Sequence, residues 1–108
     1  MLNRNPLAYT NNFALSTNPC KLIGFTAYSK AATDTYLQLH DSATPPVNGA
    51  TPWVSMKVPA TSNCALSYGV DSPRSFTLGM YACLSTTHNT LTLAASDLWI
   101  DAQLQPNM

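Results

Sequence analysis

The sequence predicts an all-β protein: a single antiparallel β-sandwich or jelly-roll-like domain of about seven or eight short strands, residues 13–108, behind an extended N-terminal arm, residues 1–12. Three observations carry this. Apolar and polar residues alternate with a period of two in one stretch after another. Turn signals separate these stretches at the short, regular spacing of sandwiches and jelly rolls. The polar positions are filled by Ser, Thr, Asn and Gln, since only 9% of the 108 residues are charged, against roughly 25% in average proteins. With the β-branched residues, these are poor helix formers that suit strands and turns.

The arm, "MLNRNPLAYTNN", has no helical stripe, and Pro6 forbids a helix interior. Phe13 to Leu15 is a first short strand, closed by the turn signal Asn18-Pro19. "CKLIGFTAYS" (Cys20 to Ser29) is the second, and its Gly24 marks a bulge or a close backbone contact. After the turn "KAATD", Tyr36 to Asp41 sets Leu37 and Leu39 on one face and Tyr36, Gln38 and His40 on the other. The loop "SATPPVNGATP" follows. Pro45 and Pro46 stiffen it, and Asn48-Gly49 is a strong turn signal. Pro52 biases Thr51 toward extended backbone.

Trp53 to Val58 alternates again, with Val54, Met56 and Val58 opposite Trp53, Ser55 and Lys57. Asn63 to Tyr68 groups Cys64, Leu66 and Tyr68. Phe76 to Leu84 reads as the longest run, with Phe76, Leu78, Met80, Ala82 and Leu84 inside and Tyr81 and Cys83 outside. A polar stretch, "STTHNT", leads to Leu91 to Leu93. The last strand, Leu98 to Leu104, places Leu98, Ile100, Ala102 and Leu104 inside and Trp99, Asp101 and Gln103 outside. "TLAASDLW" has room for one helical turn at most.

A chain this long is one domain with one thin core. Its net charge is zero, and no basic stripe points to nucleic acid. Low charge leaves little repulsion between copies and favours self-association. Cys20, Cys64 and Cys83 are an odd set without CxxC spacing, which fits free thiols acting as small buried hydrophobes. The polar N-terminus is no signal peptide, and no stretch reaches the ~20 apolar residues of a membrane span. Synthesis in a reducing cytoplasm fits these features.

Catalysis needs convergent groups, and the chain offers few. His40 and Asp41 are neighbours in a strand and point to opposite faces. His88 sits in a Thr-rich turn. Asp97 and Asp101 lie roughly 13 Å apart on a strand, and no motif joins nucleophile, base and orienter. Two isolated histidines make no zinc site, and no calcium loop occurs. A non-enzymatic protein without metal or cofactor is expected.

One pattern breaks the alternation. Tyr36, Trp53, Tyr81 and Trp99 all fall on the polar faces of their strands. Two readings stand side by side: these rings meet a partner, or loops and the arm cover them. Surface Trp and Tyr beside Asn, Asp and Gln could also stack sugars.

The series "KLIGFTAYSKAATDTYLQLHDSATPPVNGATPWVSMKVPA", followed by "RSFTLGMYACLSTTHNTLT", resembles a group of small virion structural proteins of tailed bacteriophages. The matching positions are Tyr36-Leu37-Gln38-Leu39, then Pro46, Gly49 and Pro52, then Phe76, Gly79, Met80, Ser85, Thr86 and Thr90. The resemblance covers about residues 20 to 104. It implies a cement or decoration protein on the capsid exterior, synthesised in the host cytoplasm, whose partner is the major capsid protein. The candidate interface residues are then Leu2, Leu7 and Tyr9 of the arm, Pro45 and Pro46 of the loop, and Tyr36, Trp53, Tyr81 and Trp99. A receptor- or glycan-binding module of a head or tail fibre is the alternative, with a neck or tail component as a third reading.

Overall fold

The computed structural model describes residues 2–106, with the side chains of Leu2 and Pro106 outside that description. Among the described residues, nine strands form two antiparallel sheets: β1 (Leu2–Arg4), β2 (Asn12–Ser16), β3 (Cys20–Ser29), β4 (Thr35–His40), β5 (Val54–Val58), β6 (Ser62–Ser67), β7 (Arg74–Phe76), β8 (Met80–Ser85) and β9 (Leu98–Pro106). The five-stranded sheet has the order β1-β9-β3-β6, with β7 also on β3. The four-stranded sheet has the order β2-β8-β4-β5. This is the predicted β-sandwich.

The core is the set of inward residues that strand alternation picks out, with the bulge in β3 shifting the phase between Leu22 and Phe25. Leu22, Phe25, Ala27, Ile100, Ala102 and Leu104 come from one sheet, and Leu15, Leu37, Leu39, Met80, Ala82 and Leu84 from the other, all buried. Gly24 plays the role expected of it. The β3–β9 register shifts between Leu22 and Gly24, and the bulged Ile23 carbonyl accepts from the backbone N–H groups of Tyr68 and Gly69. A Cβ on Gly24 would stand 3.0 Å from the Leu66 carbonyl oxygen, so the backbone of β6 approaches closely here.

The strand expected over Phe76 to Leu84 is two strands in different sheets. β7 pairs with β3, whereas β8 lies between β2 and β4. The chain crosses between sheets at 77–79. Alternation reads correctly through both halves but cannot register a change of sheet. Leu78, expected inside, is consequently 59% exposed. The Asp41 carboxylate holds the corner: Oδ1 accepts from the Leu78 N–H at 2.8 Å, and Oδ2 accepts from the Thr77 hydroxyl at 2.8 Å and its N–H at 3.2 Å. Gly79 makes the crossing possible, since a Cβ there would lie 2.7 Å from the backbone oxygens of Ser16 and Ser42.

The arm is laid along the domain. β1 pairs with the far edge of β9, and Thr10 bridges Leu98 through two backbone bonds of 3.0 and 2.9 Å. Residue 12 already belongs to β2.

Candidate functional site

The outer faces of the two sheets differ, and the difference sorts the candidate residues. The four-stranded sheet is roofed by two loops of the same chain. The segment after β8 doubles back, with Thr86 N–H donating to the Thr92 carbonyl and Ala94 N–H to that of Leu84. The Pro-rich loop then zips onto it. Gly49 N–H donates to the Leu91 carbonyl and Leu91 N–H to that of Ala50, both at 2.8 Å, and Leu93 N–H donates to Asn48 Oδ1 at 2.9 Å. Gly49 makes the turn at φ +95°, a conformation open to glycine without strain.

Beneath the roof lies a second apolar cluster of Tyr81, Cys83 and Leu91, with Ala14, Ala50 and Leu93 packed against it. Burial pushes the Cys83 thiol up to about 12, so it is inert as a nucleophile. Tyr81 is only 8% exposed. Tyr81 does face away from the main core, as its place in the alternation implies, but of the two readings of that ring the covering loop holds: it is buried from within the chain and is not free to meet a partner. Tyr36 is partly covered by the His88 ring, whose centroid lies 5.1 Å away, and Ser55 Oγ contacts His88 Nδ1 at 2.9 Å.

Gln38 holds the roof down. It is fully buried on the outward side of β4, and its Nε2 donates to the carbonyl oxygens of Thr87, His88 and Thr90 at 2.9, 3.1 and 3.0 Å. Its Oε1 can only accept, so the His40 Nε2 at 3.0 Å must carry a proton. Burial holds the His40 imidazole below its ordinary value of 6.5, which leaves Nδ1 bare and the ring neutral. The sequence placed Gln38 and His40 on the polar face with Tyr36; the strand pattern held no sign of their burial.

Trp99 is partly covered by the arm. Tyr9 and Trp99 form a T-shaped pair at 6.0 Å between centroids, and the Lys30 ammonium sits 4.4 Å from the centre of the Tyr9 ring. Trp53 remains 49% exposed although the Arg74 guanidinium lies 4.9 Å from its ring centre. Leu7 is fully exposed, Pro45 is exposed and Pro46 partly buried. The Leu2 side chain lies outside the described residues. The candidates therefore do not form one patch. Tyr81 and Tyr36 belong to the roofed face, Tyr9 and Trp99 to the arm's seat, and Leu7, Pro45 and Trp53 to segments between strands.

Among the described residues, no group of three or more His, Cys, Asp or Glu side chains could hold a metal ion, and the three cysteines are free. Among the same described residues, no helix is long and apolar enough to cross a membrane. No family model, curated protein or solved structure matches the chain.

Proposed function

We propose that the chain is a non-enzymatic structural protein of a tailed-bacteriophage virion: a cement or decoration protein on the outer capsid surface that bridges major capsid protein subunits. One observation carries this reading, the location of the exposed apolar side chains. Leu7, Val47, Leu78 and Trp53 are 100%, 74%, 59% and 49% exposed, and all four lie outside the strands. They project from segments tied to the sandwich: the arm and the Pro-rich loop by backbone bonds, and the 77–79 corner by the Asp41 carboxylate. Such side chains add little to the folded chain in water. Each can contribute about 1.5–3 kcal/mol when buried against a partner. A stiff support limits the ordering entropy that binding must overcome. Zero net charge permits many copies side by side, and the resemblance in sequence supplies the class of partner.

The test uses expanded capsids that lack this chain. Purified protein should bind them saturably at a symmetry-related copy number and raise their heat resistance. Leu7→Ser with Trp53→Ser should keep the melting temperature and lose capsid binding. Protein that ignores capsids and coats host cells would replace this reading with a fibre module.

A further inference from the structure

Among the described residues, the arm covers the outer face of the five-stranded sheet only in part, where Tyr9 meets Trp99, and the register of that face builds a small grid. Across β9, β3 and β6 the first row is Trp99, Tyr28, Asn63. The next is Asp101, Thr26, Ala65, and the third is Gln103, Gly24, Ser67. Residues two apart on a strand share a face, so all nine positions point outward, with rows about 7 Å apart. The side chains over the last two rows are small in the middle, with Asp101 and Gln103 at one margin and Ala65 and Ser67 at the other. A trough of about 490 Å³ opens there, within the usual range for small-ligand sites. Asp101, Gln103, Thr26 and Ser67 are all exposed, which leaves their polar groups free to meet a ligand.

We propose that this trough, with the Tyr28–Trp99 row beside it, is a binding site for a neutral pyranose oligosaccharide. The inference stands apart from the capsid reading and survives its failure. A sugar ring has an apolar face of C–H bonds and a rim of hydroxyls. The C–H face suits the negative face of an aromatic ring, supplied by Tyr28 and Trp99. The hydroxyls suit an acceptor carboxylate, a carboxamide and two side-chain hydroxyls, supplied by Asp101, Gln103, Thr26 and Ser67.

Charge narrows the ligand. The nine positions hold one carboxylate and no Lys or Arg, which disfavours phosphorylated or acidic glycans. The platform is also pre-set. Trp99 is braced by Tyr9, and Tyr9 by Lys30, so little side-chain freedom is lost on binding. Gly24 is what leaves the floor open, on a strand held on both sides by β9 and β6. A protein partner fits this face less well, because the most exposed apolar residues (Leu7, Val47, Val70 and Leu78) all lie off it.

The experiment is an amide-resolved NMR titration of the intact chain with cellohexaose, maltohexaose, mannohexaose and chitohexaose. At least one should shift the Gly24, Thr26, Ala65 and Gln103 amides saturably. Asp101→Ala should weaken that binding roughly tenfold or more, as expected for losing a charged hydrogen-bond acceptor. Ala65→Arg fills the trough from an exposed position and should abolish binding at an unchanged melting temperature. Absence of saturable shifts with all four sugars at about 10 mM, far weaker than useful recognition, would overturn the proposal. So would shifts that persist in Ala65→Arg, or Ala65→Arg blocking capsid attachment while every sugar stays inert.

Discussion

Replacing Gln38 by leucine should detach the roof of the four-stranded sheet while leaving the main core filled. The two amide protons are shared among three loop carbonyls, and the amide oxygen accepts from His40. Leucine has similar volume, so the cavity contribution is small. The loop carbonyls are near the surface and recover water, at a net loss of about 1 kcal/mol or less each. The His40 N–H stays buried and unpaired, which costs about 1–3 kcal/mol. The sum is about 3 kcal/mol, measurable by urea unfolding of the two proteins. A second readout is local. Cys83 lies under the roof, and its thiol should be modified faster in Gln38→Leu under native conditions, with mass spectrometry separating it from Cys20 and Cys64. A stability change below about 0.5 kcal/mol, the level of an ordinary surface substitution, with Cys83 equally protected, would refute the reasoning.

Gly79→Ala should be among the most damaging single-methyl additions in the chain, since two backbone oxygens stand 2.7 Å from the new atom; a loss of about 2–3 kcal/mol or failure to fold is expected, read by thermal unfolding. Asp41→Ala should destabilise by about 1–2 kcal/mol, the size of a lost capping carboxylate, with faster amide exchange at residues 77–79. Burial pushes the Asp41 carboxyl up, but its bonds to Leu78, Thr77 and Gly79 outweigh this and hold it below its ordinary value of 3.8, so its contribution is present above that pH and fades as pH falls further. His40 acts in a higher window. Its folded value is depressed below 6.5, so the unfolded chain binds the proton first. Stability is full above about pH 6.5 and falls as pH drops toward the folded value. Urea midpoints from pH 8 to 5 should show this slope in the wild type and a flatter one in His40→Gln.

The fold class, most of the inward residues and the bulge and turn glycines were legible in the sequence alone. Alternation in β4, β8 and β9 names their inward residues because a strand's side-chain period does not depend on what it packs against. Gly24 and Asn48-Gly49 were legible because backbone geometry at a bulge or a turn is a local matter. Three things were decided only in tertiary structure. The exchange of sheets at 77–79 is one, because the alternation of β7 and β8 is the same whichever sheet receives them. The burial of Tyr81, Gln38 and His40 is another, because two loops far apart in sequence, 42–52 and 86–94, pair with each other and close over that face. The trough on the open sheet is the third. It exists only when Gly24, Ala65 and Asp101, far apart in the chain, are brought into register, and register is a property of paired strands that no single strand encodes.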